Sequence, residues 1–152
     1  MQTMTGWFLA GAALAASLLL GGCGGKAAPG VADGWVRLAA NPAAPAAAYF
    51  TLKGGGSDAV LTGLSTALVK KIELHENRPM AHGMTGMAPL AQVAVPAGVT
   101  VAFAPGGRHA MLFGVDPSVR AGDRMTTAFQ FAGQPIVIAP LKVVGPGDPA
   151  PF

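Results

Sequence analysis

All three histidines of the chain, His75, His82 and His109, fall between positions 75 and 111, together with four of the five methionines that follow position 20: Met80, Met84, Met87 and Met111. A thioether sulfur is soft and has no proton to lose, so methionine suits Cu(I), while neutral imidazole serves copper, zinc, nickel or iron alike. A mixed His and Met set therefore points to copper. Structural zinc would bring cysteine thiolates, and catalytic zinc three His or carboxylate ligands. Calcium would need clustered carboxylates. The chain has one cysteine and seven scattered Asp and Glu residues, so it supplies none of these sets beyond the histidines themselves.

The spacing selects which residues can meet. His109 and Met111 stand at i and i+2, so in an extended strand they leave the same face and can reach one ion. His75 closes an alternating run in which Ile72 and Leu74 point one way and Glu73 and His75 the other. Met87 follows a Gly-containing loop, 81–86, read as flexible. A second strand end and this loop could complete a four-ligand shell of His75, Met87, His109 and Met111. Met80, His82 and Met84 alternate through the same loop; they are either an auxiliary copper site, a transfer aid or simply exposed, and no high-affinity metal is expected there. Glu73, Glu76 and Arg108 lie beside the candidate ligands. Ligating histidines usually donate their second N–H to a carboxylate or carbonyl, but these three serve equally well as solvated surface charge.

Each residue also has a plainer reading. A methionine in a β domain is more often core filler than ligand, and Met125 is assigned to the core. Isolated histidines are commonly surface groups or hydrogen-bonded, partly buried ones. The competing class is therefore an envelope lipoprotein that acts as a structural or interaction module without metal. A blue-copper electron carrier is disfavoured, because such sites need a cysteine beside two histidines. Enzymatic activity is not expected: no nucleophile elbow and no Ser-His-Asp grouping is legible.

The elements that would position these residues are short apolar or alternating runs at 35–38, 47–52, 69–75, 91–95, 99–104, 110–115, 125–131 and 136–144, separated by Gly, Pro and Asp. This spacing predicts an all-β sandwich or barrel with little helix. Gly54-Gly55-Gly56-Ser57 has no following Lys-Ser/Thr and opens no helix, so it reads as a turn between strands rather than a phosphate cradle. A length of 152 residues suits one core plus a leader.

The uncharged run 7–20 is short for a bilayer span, which takes about 20 residues, and fits the apolar region of a secretory signal. It ends in Leu20-Gly21-Gly22-Cys23, resembling a lipobox in which the only cysteine is acylated. The preceding leader MQTMTGW carries no Lys or Arg, unlike most signal n-regions. The expected organisation is a lipoprotein signal at 1–22, a flexible tether at 23–33, a copper-binding β-sandwich at 34–145 and a loose tail at 146–152, with the chain anchored to a membrane in the periplasm or cell envelope through Cys23. The net charge of +3 arises from 10 basic against 7 acidic residues, with no basic run longer than Lys70-Lys71. Nucleic-acid binding is not expected.

Three segments carry a more specific likeness: Glu73-Leu74-His75-Glu76, Met87-Ala88-Pro89-Leu90, and Pro105-Gly106-Gly107-Arg108-His109-Ala110-Met111-Leu112. Together they resemble the PCuAC family of periplasmic copper chaperones, whose motif is a His, ten residues and a Met, then twenty-one residues and His-x-Met. Twenty-one residues separate Met87 from His109, whereas eleven separate His75 from Met87, a one-residue insertion in the loop. The likeness extends weakly from Gly34 to about Val144, including Ala47-Ala48-Tyr49-Phe50-Thr51-Leu52. It implies a cupredoxin-like Greek-key β-sandwich, one Cu(I) held by His75, Met87, His109 and Met111, and delivery of that ion to an apo-protein. The recipient it implies is the cytochrome c oxidase subunit carrying the CuA site, or another thiol-containing copper chaperone.

Overall fold

Alternation of side chains is the physical basis of the fold. In the strand Ala46–Lys53 every second residue is buried, so that Ala46, Ala48, Phe50 and Leu52 form an apolar row on one face. Similar rows recur along the chain and can be removed from water only by packing against one another. The computed structural model describes residues 26–152; the expected secretory leader and Cys23 lie outside the described residues.

Ten strands follow in chain order: β1 (Gly30–Arg37), β2 (Ala46–Lys53), β3 (Ala59–Ser65), β4 (Val69–Pro79), β5 (Thr85–Leu90), β6 (Val93–Val95), β7 (Thr100–Phe103), β8 (Arg108–Val115), β9 (Arg124–Phe131) and β10 (Val137–Val144). The described residues contain no α-helix, and a single 3-10 turn at Ala81–Gly83 caps the β4–β5 hairpin. The all-β expectation is thus met. The strands hydrogen-bond in the order β5-β4-β8-β2-β1-β10-β9-β3-β6, and β7 pairs with β2 beyond the end of β8. Most pairs are antiparallel, while β1 and β10, from opposite ends of the domain, run parallel. The strands enclose a core in which Phe50 stacks on Phe103 with ring centroids 4.3 Å apart and meets Phe129 edge-on at 5.0 Å. Met125 is fully buried there, as expected.

Two strands escape the sequence patterns for identifiable reasons. In β3 the ladder to β9 slips between Leu61 and Gly63, and the irregularity breaks the two-residue alternation. In β5, Thr-Gly-Met-Ala-Pro-Leu contains Pro89 and no alternating apolar row. It ends the hydrogen-bonding path, and an edge strand tolerates a proline that a central one would not. Met87 is therefore a strand residue, not one that merely follows a loop. Likewise β4 does not close at His75 but continues to Pro79.

The folded region also begins earlier than Gly34: β1 starts at Gly30, and Ala27 accepts a hydrogen bond from the Gly56 amide. The end of the segment read as a tether is thus part of the sheet. At the other end Asp148 is held in place, its carboxylate accepting from the Gly145 amide and its carbonyl from Arg37. The Gly54–Gly56 segment is a connection between β2 and β3, as expected. Its amides donate to the carbonyls of Val99 and Ala27, and a Cβ on Gly54 or Gly55 would collide with the carbonyl oxygens of Pro96 or Ala27.

Candidate metal centre

Strands β5, β4 and β8 are consecutive neighbours, and their register decides what can meet on each face. Across β4 and β8, Glu73 lies opposite Met111, His75 opposite His109 and Glu76 opposite Arg108. Across β4 and β5, His75 lies opposite Pro89 and Asn77 opposite Met87. Because side chains alternate, His75, His109, Met111 and Met87 all leave one face of three adjacent strands. Leu74, Ala110 and Leu112, on the other face, are buried in the core. Directly opposed residues have Cβ atoms about 4.5–5.5 Å apart, and diagonal neighbours about 7–8 Å, within reach of a long flexible side chain. Met87 is diagonal to His75 and Met111 is diagonal to it on the other side, so the two thioethers flank the imidazole pair.

The imidazoles of His75 and His109 have ring centroids 6.0 Å apart and are tilted by 32°. His109 is 8% exposed, and its Nδ1 lies 3.1 Å from the Gly107 carbonyl. His75 Nε2 lies 3.2 Å from a Glu73 carboxylate oxygen, while its Nδ1 is buried with no hydrogen-bond partner. A buried nitrogen without a partner is costly, of the order of 1–3 kcal/mol. Its lone pair is what an incoming metal ion would satisfy. Met87 is 58% exposed on the edge strand, which keeps one side of the cluster open to solvent. Among the described residues no three His, Cys, Asp or Glu side chains gather to hold an ion. The other donors that the register brings to the face of the imidazole pair include the two thioethers, and that mixed donor set suits Cu(I).

The neighbouring charges divide between the two faces. Glu73 joins the imidazole side: Lys71 Nζ sits 2.5 Å from its other oxygen. These contacts, Lys71 first and then His75, hold the Glu73 carboxyl below the usual carboxylate range. Glu76 and Arg108 do not touch the histidines. Glu76 is bridged by Arg78 and Arg108 at 3.0 and 3.1 Å, and alternation puts all three on the opposite face. Lys71, which the sequence reading counted only as half of a basic pair, was detectable in principle as a neighbour of the site, since Lys71, Glu73 and His75 share one strand face at two-residue steps.

The loop residues separate from the site as well. The β4–β5 ladder is unbroken from Leu74 opposite Leu90 to Pro79 opposite Thr85, so no bulge interrupts the register that sets Met87 diagonal to His75. Met80 N–H donates to the Met84 carbonyl at 2.7 Å. The Met80 sulfur lies where a side chain on Gly86 would project, on the face away from Met87. Both methionines are more than half exposed, and His82 sits at the tip with φ +62°.

A family model described as "Putative lipoprotein LpqE-like" matches residues 30–142. The chain belongs to the LpqE-like lipoprotein family. A relative, "Putative lipoprotein Lxx21020" of Leifsonia xyli subsp. xyli (strain CTCB07), is 31% identical over 111 residues, covering 71% of this chain. The LpqE-like chain thus spans 66% of that relative's length. Among solved structures, the copper-bound PCuAC domain from PmoF2 superposes with a TM-score of 0.64 at 19% identity, over 80% of this chain and 97% of that one. Apo-DR1885 from Deinococcus radiodurans matches with a TM-score of 0.57 at 20% identity, over 95% and 97% of the two chains. Its CuI form matches with a TM-score of 0.56 at 21% identity, over 78% of each. The LpqE-like chain therefore has the cupredoxin-like β-sandwich fold of PCuAC domains, as the motif likeness implied.

Proposed function

We propose that this chain is an exported copper chaperone that carries one Cu(I) ion in a site made by His75, Met87, His109 and Met111. It is held at the cell envelope by lipidated Cys23 and hands its cargo to an apo-protein. The observation that carries this reading is the gathering of two imidazoles and two thioethers on one face of β5, β4 and β8, with a buried, unpartnered His75 Nδ1 among them. Two proteins of the same fold are described as copper-bound and as a CuI form, which supports the same cargo here. Membership of a lipoprotein family supports the anchor.

The chemistry of handover follows from the donors. Four neutral ligands hold Cu(I) without the thiolates that an oxidising compartment would convert to disulfides. A recipient presenting thiolates, such as the CuA-bearing subunit of cytochrome c oxidase or another thiol-containing copper chaperone, offers softer, anionic donors and draws the ion across by ligand exchange. Met87, on the exposed edge strand, is the ligand that an incoming thiolate displaces first. The role is binding and transfer rather than catalysis.

X-ray absorption of the Cu(I)-loaded protein tests the reading, with a mixed nitrogen and sulfur shell expected. A protein that keeps no copper after desalting would instead be the metal-free envelope module. Met111→Leu preserves size and apolarity but removes the sulfur. It should leave folding within about 1.5 kcal/mol and weaken Cu(I) binding roughly tenfold or more, about 1.4 kcal/mol. Unchanged affinity would take Met111 out of the shell. Protons compete with metal for imidazole nitrogens, so affinity should decline as the solution is acidified. A Cu(I) competition titration unaffected by acidification would remove both histidines.

A further inference from the structure

We infer that the two imidazoles offer different nitrogens to the ion, His75 through Nδ1 and His109 through Nε2, and that Glu73 is the positioning residue that imposes the His75 choice. This rests on the copper reading above and deepens it.

A neutral imidazole has one N–H and one lone pair, and the partner of the first nitrogen determines which nitrogen is left to bind metal. The Gly107 carbonyl can only accept a hydrogen bond, so His109 Nδ1, 3.1 Å away, carries the proton and leaves Nε2 free. The Glu73 carboxylate likewise can only accept. His75 Nε2, 3.2 Å from it, is therefore the N–H, and Nδ1 is left as a bare lone pair. That same Nδ1 is the buried ring atom with no partner in the protein. Two separate observations, one on each nitrogen of the ring, thus point the same way.

The device holding Glu73 is visible along β4. Lys71, Glu73 and His75 line one strand face at two-residue steps. Lys71 Nζ binds one carboxylate oxygen at 2.5 Å, and His75 takes the other. Lys71 in turn lies over the Phe113 ring, 5.8 Å from its centroid. With both oxygens engaged, Glu73 orients a ligand instead of becoming one. The two histidines therefore differ in how they are held. A backbone carbonyl, which no substitution removes, sets His109, whereas a side chain sets His75, so only the second can be altered by mutation.

Nitrogen-resolved NMR of isotope-labelled protein, read before and after addition of Cu(I), tests this. In the apo protein His75 should show Nε2–H and His109 Nδ1–H. Cu(I) should then shift His75 Nδ1 and His109 Nε2. Glu73→Ala should speed exchange of the His75 Nε2 proton and lower Cu(I) affinity by about 10–100-fold, the usual effect of losing an orienting partner. Glu73→Gln keeps an accepting oxygen and should restore most of both. An apo protein in which both rings are protonated at the same nitrogen would overturn the inference without reference to copper. Binding of Cu(I) through Nε2 of both histidines would overturn it while leaving the copper reading intact. Absence of any Cu(I)-induced shift at either ring would overturn both. An alanine variant with wild-type proton exchange and affinity would remove Glu73 from the role.

Discussion

His109→Ala is expected to reduce Cu(I) affinity by on the order of a hundredfold or more, beyond the roughly 10–100-fold that loss of an outer-shell partner brings. The side chain stands at the centre of the cluster, opposite His75 and two residues from Met111 on its own strand. At 8% exposure it is the most enclosed of the four. No other imidazole or carboxylate on that face can replace it: Glu73 is engaged by Lys71 and His75, and His82 lies at the hairpin tip. The fold should survive, because the variant forfeits one hydrogen bond to Gly107, worth about 1 kcal/mol net, and leaves the apolar face of β8 untouched. The check is a Cu(I) competition titration alongside circular dichroism. A folded variant that binds within about threefold of the parent, under 1 kcal/mol by affinity arithmetic, would exclude His109 as a ligand.

The largest effect on stability is expected at Phe50. Its ring is 2% exposed and lies between Phe103 at 4.3 Å and Phe129 at 5.0 Å, so it joins β2, β7 and β9 in one contact. Phe50→Ala removes the ring and leaves a cavity that the three strands β2, β7 and β9 cannot easily fill, at a cost of about 3–5 kcal/mol. Domains of this size have only about 5–15 kcal/mol in total. The urea midpoint should fall steeply with little change in slope. The consequence reaches the metal centre, because β2 also pairs with β8 and sets Ala47 opposite Met111. A loss below about 1 kcal/mol would mean that the aromatic cluster is not the keystone of the core.

Much of the site is legible in the sequence because its rules are local. His109 and Met111 share a face by the geometry of a strand alone, and Met125 differs from Met111 by lying in an alternating apolar row. Softness of the donors, lack of cysteine after Cys23 and scarcity of carboxylates follow from composition. What was missed has equally local causes. Pro89 and Gly86 disguise β5 because an edge strand need not alternate or donate from every residue. The slip between Leu61 and Gly63 disguises β3 by shifting the period halfway along.

Residue types and spacings by themselves determined the kind of chemistry available: an all-β frame, soft neutral donors, and a His-x-Met pair held on one strand face. Tertiary structure alone decided that His75 stands directly across from His109, that Met87 joins them from an edge strand rather than a loop, and that the Met80 sulfur lies beside Gly86 on the other side. It alone separated Glu73, which reaches an imidazole, from Glu76, which reaches only arginines. The reason is that facing within a strand follows from a two-residue repeat, whereas register between strands is set by burial of whole apolar rows against distant parts of the chain. A slip of one residue between β4 and β8 would send His75 to the opposite face from His109 with no change in the sequence of either strand.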